Sequence, residues 1–175
     1  NSETSDVRAT VYIEDEPEVS SDTDKSEEIR DMFSNKDKSM NRTDAYGKHE
    51  IDDITGKKFD KVSLQTAFNF SNYLTSDNGQ INPTLSKLLE NVKTKEDLYN
   101  SELKKDIKDI NDLRVGDIAF NSKGTPIVIS SIDTKKGTVE VVIGGVNTSL
   151  GKNTLKLDSL ELKDLTGYIE IASRD

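Results

Sequence analysis

Residues 113–171 contain five short runs rich in β-branched side chains, each bounded by glycine or other turn residues. Runs of this length and composition predict β-strands, because β-branched side chains pack well on a pleated surface. The runs cover residues 115–120, 125–132, 138–143, 153–162 and 165–171. We therefore expect a small, meandering antiparallel sheet with a barrel-like shape in the second half of the chain.

The segment that precedes this sheet has helical spacing. Residues 63–75 give the strongest pattern, since their apolar side chains cover one broad helical face. Pro83 suits the first turn of a second helix, because proline has no N–H to lose there. Thr94 suits the cap of a third helix, whose apolar positions continue with helical spacing to Ile110.

Helices over residues 63–110 followed by a sheet over 113–171 predict an α+β domain in which the helices pack on the sheet. We expect this domain to span residues 44–175. Residues 1–43 hold few large apolar side chains and many acids, which predicts an extended arm. The chain begins at Asn1 rather than at a methionine, so we expect a processed product or a fragment.

Two segments of this arm carry apolar side chains. Residues 7–13 alternate in polarity, which predicts a lone strand, and an unstructured tail is the alternative. After an acidic linker, Ser26 suits the cap of a short helix with one apolar stripe. Such segments gain order on binding, so we expect them to contact other proteins of an assembly. The expected partner-binding side chains are Val7, Val11, Ile13, Ile29, Met32 and Phe33.

The charge and composition exclude several classes of function. The chain has 33 acidic and 24 basic side chains and a net charge of −9, whereas nucleic-acid binding requires a basic surface. The same charge disfavours an anionic membrane surface, and no apolar run approaches the roughly 18 residues that span a bilayer. The sequence has no cysteine, which removes disulfides, thiolate zinc sites and cysteine nucleophiles. We expect neither a nucleic-acid partner nor membrane contact.

No pattern in the sequence predicts a metal or cofactor site. His49 is the sole histidine, and its acidic neighbours do not have a metal-ligand spacing. The acids of residues 14–24 lack the alternating spacing of a calcium loop. No Lys-Ser or Lys-Thr pair follows Gly144 and Gly145, which predicts a sharp turn after a strand rather than a phosphate loop. We therefore expect no cofactor and no metal.

The order of helix and strands resembles the papain-like cell-wall hydrolases of the NlpC and CHAP types. Residues 66–74 read TAFNFSNYL where these families often read DCSGFVxYL, and residues 113–120 read LRVGDIAF where they read LxPGDLVF. Residues 124–129 read GTPIVI, against GHVGIVI in the families, and residues 167–169 read GYI, like the closing strand of many CHAP domains. The resemblance covers roughly residues 44–171 and implies a papain-like fold.

The catalytic residues of those families have no counterpart here. The resemblance aligns their cysteine with Ala67 and their histidine with Gly124 or Thr125. Acyl transfer of the cysteine type needs a thiolate beside an imidazole, and an alanine methyl group cannot attack a carbonyl. The resemblance therefore implies a catalytically degenerate domain, a pseudoenzyme, in which Asp117 has a structural role at a strand turn. An enzyme that uses only carboxylates is a further alternative, but the sequence singles out no pair among its 33 acids.

These inferences predict a non-catalytic structural or wall-recognition component of a multi-protein assembly. Because domains of the resembling families commonly occur in phage tail tips, the resemblance implies a location in the tail or baseplate of a bacteriophage with a Gram-positive host. We therefore expect the protein in a virion or at a bacterial cell surface. The expected partners are other proteins of that assembly, and peptidoglycan is a further candidate. The alternative is an adaptor with an SH3-like barrel that binds a protein or peptide. There the helical region would not pack its N-terminal end against the sheet, whereas in a degenerate hydrolase Ala67 would face Thr125 across a cleft.

Overall fold

The computed structural model describes residues 22–48, 50–56, 59 and 61–174, and seven antiparallel strands in these ranges form one sheet. The strands are β1 (Ser39–Met40), β2 (Lys104–Lys105), β3 (Ile118–Asn121), β4 (Pro126–Asp133), β5 (Thr138–Thr148), β6 (Gly151–Glu161) and β7 (Leu165–Ile169). Their order across the sheet is β1-β6-β5-β4-β3-β7-β2. The five predicted strands of the second half are therefore confirmed, but the sheet is open rather than barrel-like, because β1 and β2 form its two edges.

Five α-helices accompany the sheet in the described ranges, which confirms the α+β class. They are α1 (Asp24–Met32), α2 (Arg42–Lys48), α3 (Val62–Thr75), α4 (Pro83–Asn91) and α5 (Lys95–Tyr99). Short 3-10 turns cover Ile110–Asp112 and Leu162–Asp164. No described helix is both long and apolar enough to cross a membrane.

The predicted third helix is correct at its start and wrong at its end. Thr94 caps α5 as expected, because its hydroxyl accepts the N–H of Asp97 while the Asp97 carboxylate accepts the N–H of Thr94. The helix stops after Tyr99, and the chain continues into β2, which pairs with β7. The helical spacing of apolar residues up to Ile110 thus does not correspond to a helix, because pairing with a distant strand determines the conformation there.

Helix α3 lies at the centre of the molecule and packs on β5 and β4. Its residues 63–72 are all buried, so α3 has no solvated face over most of its length. Phe68 and Phe70 anchor the main hydrophobic core between the helices and the sheet. Phe59 stacks on Phe68 with ring centroids 5.6 Å apart, and Tyr46 contacts Phe70 at 6.5 Å. This burial fixes the position of the N-terminal end of α3 relative to the sheet.

The short helix α1 belongs to the same core, which corrects the prediction of a docking arm that ends at residue 43. Ile29, Met32 and Phe33 are buried among the core side chains, so they are not available to a partner. Arg30 fixes α1 to the sheet by donating to Ser131 at 2.8 Å and to Glu140 at 2.8 Å. An apolar stripe on a short helix is stabilised by burial, and here the rest of the chain provides that burial.

Strand β1 also joins the sheet, by pairing with β6. The described residues therefore show no domain boundary between Thr43 and Asp44. Val7, Val11 and Ile13, the other expected partner-binding residues, lie outside the described residues, as does His49.

Candidate functional site

The N-terminal half of α3 approaches β5 so closely that only glycine fits between them. A Cβ atom added to Gly144 would lie 2.7 Å from the Cβ of Thr66 and 3.0 Å from the carbonyl oxygen of Val62. Gly145 has a φ of +75°, and the pairing of β5 with β6 shifts register between Gly144 and Val146. The predicted sharp turn at this glycine pair is therefore wrong, because both residues lie inside β5 at a bulge.

This packing bears on the alternative of an SH3-like barrel. That alternative expects the helical region not to pack its N-terminal end against the sheet. Val62 and Thr66, in the first two turns of α3, instead lie directly on Gly144 of β5. The sheet is also open at both edges. The observed arrangement thus contradicts the SH3-like barrel.

A cavity of about 530 Å³ opens where the N-terminal end of α3 meets β5, and we refer to it as the α3 cleft. It is lined by residues from α3, α5 and the sheet strands: Lys61, Val62, Ser63, Lys95, Asn121, Lys123, Thr125, Ile143, Gly144, Gly145, Val146 and Asn153. Three of these side chains are lysines, and none of the described lining residues is acidic. In a chain of net charge −9, this is a local concentration of positive charge.

The buried polar side chains of α3 hold neighbouring segments in place. Thr66 and Tyr46 share a hydrogen bond of 2.9 Å between their hydroxyl groups. The Asn69 side-chain oxygen accepts the N–H of Ile54 at 3.1 Å, and the Ser71 hydroxyl donates to the carbonyl of Gly116 at 2.6 Å.

Gln65 and Asn72 of α3 are also bonded, to Asp53 and to the N–H of Asn82 respectively. Ser63 differs from these residues. The residue is 8% exposed and lines the α3 cleft, and its hydroxyl makes no hydrogen bond with any residue that the structure describes. Ser63 thus has an unused hydroxyl group that contacts the cleft.

The three positions that correspond to catalytic residues in the resembling families lie at different depths. Thr125 lines the α3 cleft. Ala67 does not line it and is instead 1% exposed in the main core. Gly124 contacts the ring of Tyr99, where an added Cβ would lie 3.6 Å from Cδ1. The expectation that Ala67 faces Thr125 across a cleft is therefore wrong, because Ala67 points into the core. The residue of α3 that lines the cleft with Thr125 is Ser63, one turn before Ala67.

Sequence reasoning placed the start of this helix at residue 63 but missed Ser63 as a site residue, because no local pattern shows that this end of α3 lies on β5 beside the cleft. The N-cap of α3 is Lys61, whose side chain makes no capping hydrogen bond, and lysine is not a preferred residue at this position. Lys61 and Lys123 are far apart in sequence, so only the fold shows that both line the same cleft.

Asp117 is fully buried and has the structural role that was predicted for it. Its carboxylate accepts the N–H groups of Ile171 and Ala172 at 3.0 Å and that of Arg114 at 2.8 Å. Arg174 completes the set of donors with an ion pair of 2.6 Å. All the acceptor positions of this carboxylate are therefore occupied, which leaves it no role as an acid or base.

The ring of Tyr99, beside Gly124, is covered by Lys104, whose Nζ lies 3.4 Å from the ring centroid. A hydrogen bond with Thr166 and the charge of Lys104 lower the pKa of Tyr99.

Within the described ranges, no three histidine, cysteine or acidic side chains are grouped closely enough to hold a metal ion.

Comparison of the chain with protein-family models, with characterised proteins and with solved structures finds no match. The α3 cleft, with its serine hydroxyl, its threonine hydroxyl and its three lysines, is therefore the basis on which a function can be assigned. Its chemistry suits the binding of a polar, negatively charged ligand.

Proposed function

We propose that the chain is a catalytically degenerate domain of the papain-like NlpC and CHAP type, and that it is a non-catalytic component of a multi-protein assembly. Its role is structural or one of wall recognition. The setting that we propose is the tail or baseplate of a bacteriophage with a Gram-positive host, where it is exposed to the bacterial cell wall.

One observation carries this proposal: the N-terminal end of α3 and the start of β4 border the same cleft. The families in question place a nucleophile at the start of a helix and a histidine at the start of a strand. Here the start of α3, with Ser63, and Thr125, which the resemblance aligns with the family histidine, line the α3 cleft. This placement of helix and strand supports the proposed architecture, although Ala67, the position aligned with the cysteine, lies in the core.

The non-catalytic role is supported by the chemistry of the cleft. A serine hydroxyl becomes a nucleophile only beside a base that takes its proton. The chain has no cysteine, and the described lining residues include neither a carboxylate nor an imidazole. A lysine base would be the one remaining partner for Ser63, and the assay below detects such an activity.

The partner surface of the assembly is assigned to the segment that contains Val7, Val11 and Ile13. The other predicted partner-binding residues, Ile29, Met32 and Phe33, are buried in the core of the chain itself. A segment whose alternating sequence predicts a strand, followed by an acidic linker, suits addition to the sheet of a partner protein.

Co-sedimentation with purified Gram-positive cell walls tests this proposal, with the supernatant assayed for released muropeptides. We expect the chain to sediment with the walls without releasing muropeptides. Thr125→Trp fills part of the α3 cleft and should abolish sedimentation, whereas Ser86→Trp, on the exposed side of α4, should not.

Release of muropeptides would overturn the non-catalytic role. If the folded chain neither binds walls nor releases muropeptides, wall recognition is excluded and the structural role remains. The structural role is tested by using the full chain, and the chain without residues 1–21, to capture the other proteins of the assembly. Capture should require residues 1–21.

A further inference from the structure

The positive charge of the α3 cleft has no counterpart within the described part of the chain. Lys61, Lys95 and Lys123 come from three separate segments and line one cavity. The described lining residues contain no acid to pair with them. The three lysines give the cavity a positive electrostatic potential, which favours an anion as its ligand.

The orientation of α3 adds to this charge. Its first turn lies at the cleft, since Lys61 and Val62 both line it. The first N–H groups of a helix have no partner within the helix, and the helix dipole makes this end positive. No side-chain cap from Lys61 occupies these donors. Helix ends of this kind bind phosphate and other oxyanions.

Ser63 supplies a second and independent indication of a ligand. It is the one buried polar side chain on the first two turns of α3 without a hydrogen bond among the described residues, while Gln65 and Thr66 are both bonded. Because Ser63 lines the open cleft, this hydroxyl is available to donate to a ligand oxygen there. The cleft therefore brings together three kinds of group that can bind one oxyanion: the Ser63 hydroxyl, the start of α3 and the lysines.

We propose that the α3 cleft binds the phosphate group of a phosphorylated polyhydroxy compound, a phosphate monoester. A monoester carries about two negative charges at pH 7, which matches three lysines and a helix end better than one carboxylate does. The cavity of about 530 Å³ is much larger than a phosphate group. Asn121, Thr125 and Asn153 line the remaining space with amide and hydroxyl groups that suit the hydroxyl groups of a sugar.

Two described acids on segments beside the cleft, Asp53 and Glu96, do not line it. Asp53 interacts with the opening turns of α3, but its carboxylate accepts hydrogen bonds from Gln65 and Thr55 and does not line the cleft. Glu96 follows Lys95 and borders a neighbouring cavity instead. The inference concerns the cleft alone and does not depend on whether the chain binds cell walls.

Titration of the full chain with glucose 6-phosphate, followed by the amide resonances of Ser63 and Gly145, tests this inference. Glucose without phosphate is the ligand control. The K61Q/K123Q variant removes two exposed charges of the cleft, and K87Q/K108Q makes the same charge change at exposed positions that do not line it. S63A removes the hydroxyl group.

We expect saturable binding of glucose 6-phosphate that weakens by at least about tenfold in K61Q/K123Q, which corresponds to about 1.4 kcal/mol. K87Q/K108Q should bind as the unchanged chain does, and binding should weaken at pH 5, where the phosphate loses charge. S63A should also weaken binding. Absence of saturable shifts, equal losses in the two double variants, or equal binding of glucose would each overturn the inference.

Discussion

Arg174 donates two hydrogen bonds to the buried carboxylate of Asp117, from Nη1 to Oδ1 at 2.8 Å and from Nη2 to Oδ2 at 2.6 Å. Burial by itself would lower the pKa of Arg174, but the hydrogen bonds and the charge of Asp117 outweigh burial and raise it. The pair joins the segment after β7 to the turn before β3. The pair thereby fastens two neighbouring strands, β3 and β7, which are distant in sequence.

Arg174→Met should lower the free energy of unfolding by about 3 kcal/mol, because it leaves a buried carboxylate without its cation. Arg114→Met is the control, since the Arg114 side chain is exposed and, among the described residues, its guanidinium donates to the carbonyls of Asn111 and Leu113 rather than to Asp117. That variant should lose less than about 1 kcal/mol. Urea denaturation of both variants measures the difference, and equal losses would contradict a special role for the buried pair.

Gly144→Ala should separate α3 from β5, because the added methyl group has no space beside Thr66. Overpacking of this kind typically costs about 1–3 kcal/mol. The matched control is Gly47→Ala in α2, where no atom lies within 4 Å of the added methyl group. Alanine favours the helix over glycine by up to ~1 kcal/mol, so the control should be unchanged or more stable. The thermal unfolding midpoints of the two variants test this prediction. Equal midpoints would contradict the close approach of α3 to β5 at Gly144.

Ile29→Ala should lower the free energy of unfolding by about 2–5 kcal/mol, as expected for a fully buried aliphatic side chain. Ile81→Ala makes the same chemical change at a side chain that is 43% exposed, and it should cost no more than ~0.5 kcal/mol. Chemical denaturation of the two variants tests whether α1 is part of the core. Unchanged stability of the Ile29→Ala variant would contradict the core position of α1 and favour the prediction that α1 belongs to a docking arm.

The tyrosines should make the fold less stable at alkaline pH. Burial raises the pKa of Tyr46, and burial and Glu28 raise that of Tyr73, so the folded state retains protons that the unfolded state loses above about pH 10. Their stabilising contribution is complete below pH 10 and declines as the pH rises above it. Denaturation at successive pH values from 9 upward measures this decline.

Tyr46→Phe should make that decline shallower. Tyr99→Phe should make it steeper, because the pKa of Tyr99 is lowered in the folded state and its ionisation there favours folding. The slopes are compared rather than the absolute stabilities, since Tyr46→Phe also loses the hydrogen bond to Thr66. A steeper decline in Tyr46→Phe would contradict the assigned sign.

Local patterns were sufficient to predict the elements that depend on local chemistry. The strands β3 to β7 follow from β-branched runs between turns, and the starts of α4 and α5 follow from Pro83 and Thr94. The buried face of α3 was also predicted from its apolar spacing. These features depend on residues that are near one another in the sequence.

The remaining features depend on contacts that no local pattern encodes. The bulge at Gly144 exists because Thr66 lies above it, and β2 exists because β7 is beside it. The core position of Ile29 follows from side chains provided by the rest of the chain. Ser63 could be assigned to the cleft only once the structure placed the start of α3 against β5.

The attachment of α1 also has a consequence for how quickly the chain folds. Arg30 bonds to Ser131 and Glu140, which lie 101 and 110 positions further along the sequence. A helix of nine residues does not persist alone, and closure of so long a loop is entropically costly. Because α1 is held by β4 and β5, it can dock only after these strands have paired. Folding should therefore be slow, with attachment of α1 as one of its last steps.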